Sequence, residues 1–167
     1  WSYPYPISYY ENRDKINVWE NKDYVAQRAD GEETVYNMVN ALMGTLYLSG
    51  RIEHADKKNF ALVKEGVKAF KKYRKHNASA HPVWPCGVFN LGDDSFTSLG
   101  LVDEKAKKMT LAVWRLNSPE DTIVVDLSKY LAANSKVSLA YPSDPMGAEF
   151  VYNPSSKLLT VKLPKRC

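Results

Sequence analysis

The sequence predicts an α+β protein in which helices come first and antiparallel strands follow. Three observations carry that expectation. Between residues 31 and 75 apolar side chains recur at helical spacing. From residue 96 onward they alternate with a period of two. Between the two lies His81-Pro82-Val83-Trp84-Pro85-Cys86-Gly87, where two prolines in four residues forbid a continuous helix. We read this stretch as a rigid seam, with residues 1–80 as an N-terminal helical domain and residues 81–167 as an antiparallel β-sandwich. Trp84 is large and apolar, so it is expected to be buried at the seam, where Trp84→Ala would cost about 3–5 kcal/mol.

Residues 1–10 hold five aromatics and two prolines and read as an extended loop. They suit either an aromatic wall for a flat ligand such as a sugar or packing onto a neighbouring domain, and packing is the commoner use. Residues 11–30 are weakly periodic, with a short strand at Lys15–Trp19. A helix then follows, capped at Asp30 or Gly31, with Glu32 and Glu33 at its positive end. Its stripe is Val35, Met38, Val39, Leu42, Met43 and Leu46, and Gly50 ends it. A stripe this long needs a large partner surface. Left bare, it is expected to drive self-association into homo-oligomers. A second helix runs from Asp56 as N-cap to about Lys75, with Phe60, Val63, Val67 and Phe70 on one face and lysines on the rest. Those lysines suit a phosphate-binding helix or a solvated outer face, and the solvated face is favoured because no aromatics interleave them.

The β part divides into six strands by its turns. They are Phe96–Val102, Lys108–Leu116, Thr122–Leu127, a strand through Val137, Leu139 and Tyr141, Glu149–Tyr152 and Lys157–Leu163. The second is apolar on both faces and is expected to be central. Lys129–Ser135 reads as a turn of helix.

The chain has 167 residues, 44% apolar and 25% charged, which fits a folded globular protein. Its net charge of +4 is not concentrated, with 13 basic and 10 acidic residues before position 81 and 10 and 9 after it. That balance points to neither nucleic acid nor membrane as a partner. No apolar run reaches the roughly 18 residues a membrane span needs. Cys86 and Cys167 lack metal-ligand spacing. No secretory leader is visible, and nothing selects cytoplasm or exterior as the compartment. A start at Trp1 rather than Met is expected of a fragment or a processed product.

Chemistry-bearing patterns are sparse. No phosphate loop, dinucleotide fingerprint, nucleophile elbow or zinc motif occurs, so no cofactor or metal is implied. His54, His76 and His81 lack ligand spacing. Asp93 and Asp94 are adjacent, point to opposite sides of an extended chain and belong to turn chemistry. Asn77-Ala78-Ser79 is a glycosylation sequon, meaningful only in a secreted eukaryotic protein. No catalytic residue is assigned. The chain reads as the tail of something larger.

Several stretches resemble α-galactosidases of the melibiase type, glycoside hydrolase family thirty-six. They are Trp1-Ser2-Tyr3-Pro4; Val39-Asn40-Ala41-Leu42-Met43-Gly44 with Tyr47-Leu48-Ser49-Gly50-Arg51-Ile52; Leu62-Val63-Lys64-Glu65-Gly66-Val67; Pro82-Val83-Trp84-Pro85; and Leu111-Ala112-Val113-Trp114-Arg115. Their order matches that family from the end of its barrel into its C-terminal sheet domain, over about two-thirds of the chain. Residues 7–30 are longer than the family's usual link. The resemblance implies that residues 1–80 close a (β/α)8 catalytic barrel, with the helix from Glu32 as its last helix. It implies hydrolysis of terminal α-galactosides with retention, by two aspartates on earlier strands outside this chain. Trp1 and Tyr3 would then stand near the sugar pocket as substrate-binding residues, and the rest of the parent polypeptide would be the partner. A non-catalytic carbohydrate-binding or structural sandwich is the alternative, in which Tyr130, Tyr141 and Tyr152 would form an exposed flat face.

Overall fold

A computed structural model describes residues 31–48, 55–88 and 95–164. Trp1, Tyr3, the Lys15–Trp19 strand, Gly50, the Asp93–Asp94 turn and Cys167 lie outside the described residues. The fold class is α+β: two helices precede two small antiparallel sheets. The chain divides into two compact units, Trp1–Lys72 and Tyr73–Cys167.

Helix α1 spans Gly31–Leu42 and is shorter than its apolar pattern suggested. The Met43 N–H is shared between the carbonyls of Val39 and Asn40, and the Gly44 N–H reaches Ala41. The last turn thus tightens to 3₁₀ spacing and ends at glycine. The buried face is also rotated: Thr34, Asn37, Met38, Ala41 and Leu42 are buried, whereas Val35, Val39 and Leu46 are half-buried. Leu42, in the middle of the expected stripe, is only 8% exposed.

Helix α2 spans Lys57–Asn77, with Asp56 as its N-cap as the sequence indicated. The Asp56 carboxylate accepts the Asn59 N–H at 2.8 Å, and its carbonyl accepts the Phe60 N–H at 2.9 Å. The Asn59 amide donates back to Asp56 at 3.1 Å and accepts the Thr34 hydroxyl at 2.7 Å, which ties the start of α2 to α1. Below this polar link the contact is apolar. A Cβ placed on Gly66 would come within 3.4 Å of the Met38 Cβ and overlap the end of that side chain, so glycine lets Met38 lie there in its present conformation. The buried face of α2 is therefore Asn59, Val63, Gly66 and Ala69, and Phe60 is 46% exposed rather than part of the core.

The first sheet joins β1 (His81–Val83), β2 (Phe96–Asp103) and β3 (Lys108–Arg115) in the order β1-β2-β3. The seam thus begins as a strand. Pro82 fits because β1 is an edge, where a missing N–H breaks no second ladder. After it, Trp84-Pro85-Cys86-Gly87 turns with the Gly87 N–H on the Trp84 carbonyl at 2.9 Å, and Gly87 takes φ 84°. Trp84 is half-buried rather than enclosed. Half burial scales the cost of Trp84→Ala down to about 1.5–2.5 kcal/mol. Chemical denaturation of that variant checks the value, and a loss above about 4 kcal/mol or below about 0.5 would contradict this placement.

The second sheet joins β4 (Thr122–Asp126), β5 (Glu149–Asn153) and β6 (Leu158–Lys162) in the order β4-β6-β5. Its core is Val125, Leu127, Leu159 and Val161, onto which Met109, Leu111 and Val113 of β3 pack. β3 is an edge strand and not central. Its apolar character on both faces reflects burial above and below: Ala112, on the face opposite Leu111, is 6% exposed. Burial of two faces does not require two ladder neighbours. The expected strand at Val137–Tyr141 is also absent. Val137 packs on the core, but the segment's backbone joins no ladder. The Lys129–Ser135 turn of helix reduces to one turn, closed by the Leu131 N–H on the Leu127 carbonyl at 3.0 Å.

The hairpins β2–β3 and β5–β6 turn by the same device. Asp103 Oδ1 accepts the Ala106 N–H, and Asn153 Oδ1 accepts those of Ser155 and Ser156. Lys107 and Lys157 then take left-handed φ values of 52° and 57°.

Candidate functional site

Among the described residues, titratable and nucleophilic side chains converge best where α2 ends against the β2–β3 hairpin. Asp103 closes β2 and is 6% exposed. The Ser79 hydroxyl donates to its Oδ2 at 2.8 Å. His76 Nδ1 lies 3.7 Å from the same oxygen. Lys108 Nζ stands 3.1 Å from His76 Nε2. One residue further along, the Thr110 hydroxyl donates to Asn77 Oδ1 at 3.0 Å. Both polar ends of the sequon, Asn77 and Ser79, are therefore used to fasten the helix end to the hairpin.

The cluster contains a serine, a histidine and an aspartate, yet it is not wired for nucleophilic catalysis. That chemistry needs the hydroxyl to bond the imidazole, with the carboxylate behind it. Here the hydroxyl bonds the carboxylate directly. The Ala106 N–H, then the Ser79 hydroxyl, hold the Asp103 carboxyl below its ordinary value of 3.8, so it is a poor proton acceptor. What the arrangement does is tether.

Its pH dependence follows. A carboxyl whose folded pKa lies below the unfolded one contributes stability above the unfolded pKa and loses it as pH falls through the folded value. Asp126, lowered by the Ser128 hydroxyl and then the Ser128 N–H, adds in the same direction. Stability should therefore fall as the pH drops below about 3.8, and Asp103→Asn should flatten that acid limb. Urea midpoints measured from neutral pH to pH 2.5 test this; parallel acid limbs in the two proteins would refute it.

Arg115, in the last of the quoted motifs, ends β3 and is 5% exposed. Among the described residues, its guanidinium bonds backbone carbonyls. Nε and Nη2 reach Ser118 at 3.2 and 3.0 Å. Nη2 also reaches Pro119 at 3.3 Å, and Nη1 reaches Leu163 at 2.8 Å and Pro164 at 3.0 Å. The fork thus holds the end of β3, the turn after it and the end of β6 together. Sequence reasoning passed over this residue, because a single arginine at the end of an apolar run gives no sign of being buried.

The three tyrosines pack inward to different degrees, Tyr130 and Tyr152 being half-buried. Tyr141 is 5% exposed. Tyr130 and Tyr152 pack against the Val125 cluster, and the Tyr152 hydroxyl is buried with no partner among the described residues.

No three His, Cys, Asp or Glu side chains among the described residues converge as metal ligands. No described helix is long and apolar enough to cross a membrane. No protein-family model, curated protein or solved structure matches the chain.

Proposed function

We propose that the chain is the C-terminal part of a retaining α-galactosidase-like glycoside hydrolase acting on terminal α-galactosides. Residues 1–80 would end its (β/α)8 barrel, residues 81–167 would form a stabilising β-sandwich, and both catalytic aspartates would precede Trp1. The observation that carries this reading is the order and spacing of the five motif groups from Trp1-Ser2-Tyr3-Pro4 to Leu111-Ala112-Val113-Trp114-Arg115. The element order supports it, since two helices lead into antiparallel strands. So does the packing of Met109, Leu111 and Val113 from one sheet onto the core of the other, as in a two-layer sandwich. The inward packing of Tyr130, Tyr141 and Tyr152 favours a structural sandwich over a carbohydrate-binding one.

In this reading retention comes from two carboxyls about 5–5.5 Å apart, one attacking the anomeric carbon and the other serving as acid and then base. Trp1 and Tyr3 would line the sugar pocket, where an aromatic ring covers the apolar face of galactose. The chain alone should not hydrolyse a chromogenic α-galactoside, and the polypeptide extended upstream should. Turnover by the chain alone, or an upstream coding sequence without a barrel and two strand-end aspartates, would overturn the proposal.

A further inference from the structure

Dividing the charge between two halves of the chain hides a local imbalance. Helix α2 holds eight lysines and arginines against one acid, Glu65. It therefore carries seven net positive charges, more than the +4 of the whole chain, and the remainder is net negative by three. At helical spacing Lys57, Lys64, Lys68, Lys71 and Lys75 fall within about 60° of one another, along a line about 27 Å long. All five are exposed, and the buried face of Asn59, Val63, Gly66 and Ala69 lies opposite. Phe60, one turn before Lys64 and beside the same line, is 46% exposed.

We propose that this face of α2 binds an extended carboxylated polysaccharide. The ammonium groups would meet successive carboxylates, and the Phe60 ring would pack against the C–H face of one sugar. The choice of a saccharide over other polyanions rests on the α-galactosidase-like reading above. Insertion into an anionic bilayer needs an apolar helix face, and the apolar face of α2 is buried. Single-stranded nucleic acid calls for repeated aromatic platforms, and the line carries one ring.

The test titrates the full chain with polygalacturonate, with neutral galactomannan, with a short DNA duplex and with phosphatidylserine vesicles in separate arms. Polygalacturonate should bind best and weaken about tenfold or more between roughly 50 and 200 mM salt. The triple variant Lys64→Gln/Lys68→Gln/Lys71→Gln should lose at least tenfold in affinity, with its helical circular dichroism unchanged. Phe60→Ala should weaken binding without changing the salt slope. No binding, equal or better binding of DNA or vesicles, or a folded triple variant that binds like the parent would each overturn the inference. Polygalacturonate binding with no barrel encoded upstream supports this surface and removes the hydrolase reading. Turnover of an α-galactoside by the longer polypeptide without polygalacturonate binding overturns this surface and leaves that reading standing.

Discussion

Arg115→Ala should destabilise the β unit by about 3–4 kcal/mol. The wild-type guanidinium spends its donors on four carbonyls, those of Ser118, Pro119, Leu163 and Pro164. Hydrogen bonds from a charged donor are worth more than neutral ones, about 1.5–3 kcal/mol each, but they are not additive here because one group makes them all. Removing the side chain leaves acceptors in a largely dehydrated spot and takes away the apolar stem that fills it. Arg115→Lys should recover less than half of the loss, because an ammonium is a single point and cannot span Ser118 and Leu163 together. Urea unfolding of both variants decides it. A cost under about 1 kcal/mol for Arg115→Ala, or full recovery with lysine, would show that the fork is not what joins β3 to the end of β6.

Leu159→Ala should cost about 2–5 kcal/mol. Leu159 is the second residue of β6, paired with Val125 on β4 and with Tyr152 on β5. It is 5% exposed, and the cluster around it takes in side chains from both sheets. Truncation removes burial and leaves a void that the two β-branched neighbours, Val125 and Val161, cannot readily fill. Leu159→Met, which keeps the volume, should cost less than about 1.5 kcal/mol. Thermal and urea midpoints give the comparison. Equal losses from the two substitutions would mean that shape and not volume limits this core.

The sequence by itself determined the α+β class, the helix cap at Asp56, and five of the six strand segments to within a residue or two. These are local matters: periodicity and capping are written in neighbours a few positions apart. Only the tertiary structure decided which faces are used. Gly66 sets where α1 meets α2, so the buried faces run through Thr34, Met38 and Ala69 rather than through Val35 and Phe60. Likewise β3 became an edge, Val137–Tyr141 stayed outside any ladder, and His81–Val83 entered one. Strand pairing depends on what lies alongside in space, and alternation of side chains reports burial without reporting neighbours. Arg115 belongs to the same class, since the carbonyls that hold it come from as far along the chain as Pro164.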